Sequence, residues 1–129
     1  MSRQLISANS PFEPVIGFSR AVRVGNIIAV SGTAPLDANG KTVAPNDLKA
    51  QTRRCLEIML AAIASAGGRP ENVVRTRLML IDITRWREAA EAHGEVFRDI
   101  RPACTFVGVA RFIDPEWLVE TEADRVLSH

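Results

Sequence analysis

Three carboxylates at a spacing of two, Glu120, Glu122 and Asp124, stand in the segment Leu118-Val119-Glu120-Thr121-Glu122-Ala123-Asp124. In a strand all three project from one face, while Val119, Thr121 and Ala123 project from the other. Like charges in such a row oppose one another. Either they form a solvated face, or one of them lines a cleft and serves as a general base on water. Spacing alone leaves both readings open. Cys104 opens the preceding extended segment on the same side as Phe106, but a lone thiol with one distant histidine is a weak nucleophile signal. His93 falls on the apolar face of a helical stretch and reads as packed. Cys55 lies on another helical stripe and reads as a buried thiol. Arg101, just ahead of Pro102, is a loop position suited to an anion contact. Trp86 and Trp117 read as packing residues. No histidine, cysteine or carboxylate pair has zinc-site spacing, and His129 is the last residue, so metal catalysis is not expected.

The elements that must carry these residues are legible from periodicity. The first 14 residues, with Pro11 and Pro14, read as an irregular lead-in. Extended segments over 18–24 and 27–31 flank Gly25-Asn26, two residues that tolerate positive φ and so suit a tight hairpin. Asn46 is a plausible helix cap. After it, Leu48, Cys55, Leu56, Met59, Leu60 and Ile63 fall at helical spacing, and Gly67-Gly68 stops the helix after about 20 residues. Alternation over 73–81 predicts a strand with one buried face. A second helix is expected over 82–98, capped near Thr84 and ended by Arg101-Pro102. Strands are expected over 104–112 and 118–126. The order ββ-α-β-α-ββ predicts a two-layer α+β domain, with two helices packed on one face of a mixed sheet. The other sheet face keeps apolar residues, Val22 and Ile28 among them, and that surface argues for self-association.

Composition narrows the class. A chain of 129 residues is one domain, 1–129. At this mass folding leaves roughly 6,700 Å² accessible of about 20,400 Å², enough burial for a core without disulfides. Hydrophobic residues make up 47% and charged residues 24%, with mean hydropathy near zero. That profile excludes a disordered chain. No apolar run reaches the ~18 residues of a membrane span. The N-terminal ten residues do not read as a secretory leader, and two cysteines suit a reducing compartment, so the cytoplasm is the expected location. Sixteen basic residues against 15 acidic give a net charge of +1. All the basic residues but Lys41 and Lys49 are arginine, dispersed beside acids, so no extended nucleic-acid surface is expected.

Several motifs taken together are more specific. Phe18-Ser19-Arg20-Ala21-Val22-Arg23-Val24-Gly25-Asn26 followed by Val30-Ser31-Gly32 resembles the opening hairpin of the RidA/YjgF family. The first helix, the Gly67-Gly68 stop, the 73–82 strand, Arg101-Pro102-Ala103 and Val119-Glu120-Thr121-Glu122-Ala123 follow in that family's order, so the resemblance runs from about Leu5 to Val126. It implies a chorismate-mutase-like fold and a homotrimer with small-molecule clefts between subunits. In family deaminases an imine or enamine derived from an amino acid takes up water at the C=N carbon and releases ammonia, without a cofactor.

Residue by residue, the resemblance makes Glu120 the water-handling carboxylate and puts Ser31 and Gly32 at the cleft's Ser-Gly turn. The family's carboxylate-binding arginine falls at Cys104, beside Thr105. Its cleft tyrosine falls at Phe18, its asparagine at Ala90 and its cysteine at Phe106. An arginine–carboxylate contact is charge-assisted, and hydrogen bonds to charged groups are worth about 1.5–3 kcal/mol. Cys104 cannot supply it, and Arg101 is the loop residue considered in its place. The expected substrate is therefore an uncharged imine or enamine rather than a free 2-imino acid, hydrolysed through a Glu120-activated water. A ligand-binding trimer without turnover is the alternative. A ribonuclease or translation inhibitor is disfavoured by charge and by the absence of a paired base.

Overall fold

A computed structural model describes residues 2–127. Six strands form one mixed sheet in the order β1-β2-β3-β6-β4-β5. The strands are β1 (Arg3–Ile6), β2 (Ala21–Val24), β3 (Ile27–Thr33), β4 (Val73–Leu80), β5 (Ala103–Gly108) and β6 (Val119–Val126). Helices α1 (Leu48–Ser65) and α2 (Trp86–Phe97) pack together on one face of the sheet. The two-layer α+β arrangement read from the sequence is the one observed. Only β4 and β5 pair in parallel, joined through α2, as a parallel pair requires a crossover.

The lead-in departs from expectation. Arg3–Ile6 is not irregular: it pairs antiparallel with β2, Leu5 opposite Val22. Glu13–Gly17 then forms a π-helical turn. The buried Glu13 carboxylate holds this segment by accepting from the Ala8 and Ser10 amides at 3.1 and 3.0 Å. The sequence hid both features because Leu5 and Ile6 are too few to show a period, while Pro11 and Pro14 dominate the local pattern.

Helix α1 starts one residue later than its predicted cap. Asp47 accepts from Ala50 N at 3.0 Å, while Asn46 adopts φ +66°. Its apolar stripe buries Cys55, Leu56, Met59 and Ile63 against Ile28, Val30, Leu78 and Val119. Removing such a side chain costs about 2–5 kcal/mol. Gly67, at φ +89°, ends the helix, and the Gly68 amide donates back to Ile63 O at 2.8 Å. Asp82 caps a 3₁₀ turn over Ile83–Arg85, which leads into α2. Trp86, expected to pack, is 42% exposed.

Strand alternation divides the sheet. Thr76, Leu78 and Leu80 of β4 and Val119, Thr121 and Ala123 of β6 are buried beneath the helices. Arg75, Arg77 and Met79 face away with Glu120, Glu122 and Asp124. Ile28, expected on the uncovered side, is fully buried under the helices; its neighbour Ile27 is 55% exposed instead. The chain exposes 7346 Å², more than the roughly 6,700 Å² of a compact monomer of this mass.

Candidate active site

A cavity of about 440 Å³ opens where β3 ends and β6 begins. Its walls are the 8–18 segment, the Ser31-Gly32-Thr33 end of β3, the loop around Asp37, the outward side of α1 at Arg54 and Ile58, and Trp117 with Glu120. Buried Gln51 of α1 fixes two of these walls together. Its amide donates to Val43 O and Glu116 O at 3.2 and 3.1 Å, and its carbonyl accepts from the Leu118 amide at 2.8 Å. The run into β6, and with it Glu120, is thereby tied to the start of α1.

The sheet register distinguishes the three carboxylates that spacing left equivalent. Glu122 lies opposite Arg77 and pairs with it. Asp124 is exposed opposite Arg75. Glu120 lies opposite Met79, is half-buried and, among the described residues, has no cation within 4.0 Å. Burial pushes its carboxyl above the ordinary range, and the Arg20 guanidinium pulls it only partly back. A half-buried carboxyl whose proton affinity is raised by burial and which borders a cavity is placed to exchange a proton with a bound molecule.

Around Glu120 the main chain is held closely. Ser31 Oγ donates to Ser19 O at 2.6 Å, and the Ser31 amide donates to Arg20 O at 2.9 Å. Arg20 is 6% exposed, with its Nη1 donating to Gly32 O at 2.6 Å and Thr33 Oγ1 at 2.9 Å. The Phe18 ring lies 5.2 Å from its guanidinium carbon. Burial works against the charge of Arg20, while Glu13 and Glu120 support it.

The predicted site residues fall into two groups. Phe18, Ser31, Gly32 and Glu120 line the cavity. The others sit elsewhere in the chain. Cys104 and Phe106 register with Thr76 and Leu78 and so share the helix-covered face. Phe106 meets His93 edge-on at 6.3 Å, and His93 Nε2 lies 2.9 Å from Thr76 Oγ1. Half-buried Ala90 is on α2. Thr105 registers with Arg77 on the uncovered face. Arg101, exposed at φ +60°, borders a shallow depression with His93 and Pro102, not the Glu120 cavity. Cys104 is exposed, whereas burial raises the Cys55 thiol well above its ordinary range. His129 lies outside the described residues. Among the described residues no three His, Cys, Asp or Glu groups are placed to hold a metal ion, and no helix is long and apolar enough to cross a membrane.

Sequence reasoning missed Arg20, Arg54 and Ile58, and it assigned Trp117 to packing alone. A signal existed for Arg20: it stands two residues after Phe18, where an extended chain puts both side chains on one side. Arg54 and Ile58 belong to the polar side of the α1 stripe, where nothing in the pattern marks a cavity.

Residues 8–126 match the family model described as endoribonuclease L-PSP. A RutC family protein of Pyrococcus abyssi is 31% identical over 123 residues, 95% of this chain and 96% of that one. The 3-aminoacrylate deaminase RutC of Acinetobacter baylyi is 31% identical over 93% of this chain and 94% of its own. A Mycobacterium tuberculosis member of the YjgF/YER057c/UK114 family, solved by crystallography, superposes with a TM-score of 0.89 at 41% identity, covering 98% of this chain and all of that one.

Proposed function

The chain belongs to the RidA/YjgF family, whose model is described as endoribonuclease L-PSP, and from that premise we propose that it is a cofactor-free hydrolytic deaminase of a small imine or enamine. The observation that carries the reading is Glu120, half-buried at the cavity with no cation of the described residues within 4.0 Å. Water adds to the C=N carbon while Glu120 carries one of its protons to the imine nitrogen, giving a neutral carbinolamine. Glu120 then takes the hydroxyl proton and passes it to the amino nitrogen as the C–N bond breaks, so ammonia leaves behind a carbonyl compound. Burial raises the affinity of this carboxylate for a proton, which strengthens it as the base in both transfers. The similarity to a protein named 3-aminoacrylate deaminase supports the reaction class.

We further propose that the working form is a homotrimer with clefts between subunits, in the cytoplasm. Support comes from the two faces of the sheet. Within one chain Glu120 points away from the helices while Cys104 and Phe106 point beneath them, so a cleft containing both groups draws on two subunits. The large uncovered sheet face agrees. With cysteine at position 104, that position offers no cation to a substrate carboxylate. A 2-imino acid held there is disfavoured, and an imine without that contact is preferred.

The test is ammonia release from imines generated in place, uncharged ones by an amine oxidase and carboxylate-bearing ones by an amino-acid oxidase, with wild type and Glu120→Gln compared. Acceleration by wild type that Glu120→Gln abolishes is the expected result. If wild type is inert on every imine offered, the cavity binds its ligand without turnover and the deaminase reading falls.

A further inference from the structure

Arg20 is the most deeply buried cation bordering the cavity, and the protein uses only part of it. Among the described residues all its hydrogen bonds leave from Nη1, to Gly32 O and Thr33 Oγ1 and at 3.5 Å to Ser31 O. Among the described residues Nε and Nη2 donate to no protein atom, yet neither is sealed from solvent, so this edge of the guanidinium opens onto the cavity it lines. The Nε–Nη2 edge is the one that takes a carboxylate through two parallel hydrogen bonds. Among the described residues no carboxylate occupies it: neither Glu13 nor Glu120 lies within 4.0 Å. A second cation, Arg54, borders the same space, with its Nε committed to Leu36 O at 2.6 Å. Against these stand Asp37, already accepting from the Asn39 and Lys41 amides, and Glu120. The remaining wall is apolar: Phe12, Ile16, Phe18, Ile58 and Trp117.

We propose that Arg20 is the anion anchor of this cavity, holding the carboxylate of a ligand whose apolar body packs against Phe12, Ile58 and Trp117. The proposal rests on the reading of the cavity as a substrate site and names its ligand class: a compact carboxylate with an aromatic or branched hydrocarbon body. It also changes what the missing arginine at Cys104 means. The carboxylate contact moves from a position on the other face of the sheet to one beside Gly32, on the same chain as Glu120. Arg20 fixes one end of the ligand, and Glu120, on the other side of Gly32, meets water at the reacting carbon.

Phenylacetate and phenylacetamide share one body and differ in charge, and calorimetric titration of both reads the anchor without any turnover. Wild type is expected to bind phenylacetate at least tenfold more tightly than the amide. Arg20→Met is expected to remove that preference while changing amide affinity less than twofold, and Arg20→Lys to retain part of it. Arg101→Met leaves both affinities unchanged. Equal binding of the two probes by wild type, no binding of either at millimolar concentration, or phenylacetate affinity unchanged in a folded Arg20→Met would each overturn the proposal. The wild-type comparison holds even if Arg20→Met loosens Gly32 and Thr33. Glu120→Gln separates the two readings. Phenylacetate bound by a wild type that releases no ammonia sinks the deaminase and leaves the anchor. Turnover with no charge preference sinks the anchor alone.

Discussion

Gly32 and Glu120 are in near contact: a Cβ built on Gly32 would lie 3.2 Å from Glu120 Oε1. The glycine is there for closeness rather than for backbone freedom, since its φ is not among the positive ones. Its carbonyl is taken by Arg20 on one side while its Cα leaves room for the carboxylate on the other. Gly32→Ala is therefore expected to push the Glu120 carboxylate aside by a few tenths of an ångström. Misplacement of a reacting group is expensive, so kcat should fall about tenfold or more with Tm nearly unchanged. Equal losses in activity and stability would show that Gly32 matters to folding only.

Glu120→Gln should separate catalysis from stability. Loss of a positioned general base lowers kcat by roughly 10²–10⁴. The folded pKa of Glu120 is raised by burial, so its ionised form opposes folding. Its favourable contribution is complete below the ordinary carboxylate pKa and is lost as pH rises through the folded value. At neutral pH the variant should therefore melt slightly higher than wild type, and at pH 3 the two should coincide. A variant that melts lower at pH 7 would contradict the burial argument.

How much of this was legible without coordinates depends on which interactions are local. The α1 stripe, the Gly67-Gly68 stop and the alternation of β4 and β6 repeat at short range, and the sequence shows them directly. Glu120 could be singled out from Glu122 and Asp124 only by resemblance, because the distinction depends on cross-strand partners. Arg77 faces Glu122 whereas Met79 faces Glu120, and neither pairing is visible along the chain. Arg20 was read as one residue of a hairpin motif. Its function as a cavity wall depends on Thr33 and on the π-helical turn at Glu13–Gly17, which fold against it from outside any local period.

Cys104→Arg tests the placement of the second group of residues. Cys104 is exposed on the edge strand β5, so the substitution should change stability by no more than about 0.5 kcal/mol. In a monomer it should leave Glu120 chemistry untouched, because the two side chains leave opposite faces of the sheet. If subunits share clefts, it adds a cation there and activity toward carboxylate-bearing imines should rise. Light scattering beside the assay decides: a trimer with altered specificity supports shared clefts, and a monomer with wild-type specificity counts against them.

His93 is half-buried among Thr76, Phe97 and Phe106, and burial lowers its pKa. A histidine with a depressed folded pKa contributes stability above its ordinary value near 6.5, and that contribution is lost as pH falls through the folded value. Wild type should therefore lose Tm on acidification from pH 7 to 5 more steeply than His93→Gln. Parallel pH profiles would show that protonating His93 carries no cost in the folded state.

Gly68 and Arg125 make the sharpest stability prediction. A Cβ on Gly68 would lie 1.8 Å from Arg125 Nη1, so the guanidinium occupies the space that a side chain would need. Arg125 is fully buried, and among the described residues none of its three guanidinium nitrogens has a hydrogen-bond partner. Burial first, and Arg23 second, work against its charge. Gly68→Ala must displace this group within a closed interior. That should cost about 1–3 kcal/mol, as overpacking does, and lower Tm by roughly 3–10 °C. Arg125→Met removes an unpartnered buried cation and should be neutral or stabilising. The two sites touch, so their effects should not add. In the Arg125→Met background, Gly68→Ala should cost less than half of what it costs in wild type. Thermal melts of the four proteins complete the cycle, and strictly additive losses would mean that the guanidinium does not fill the space above Gly68.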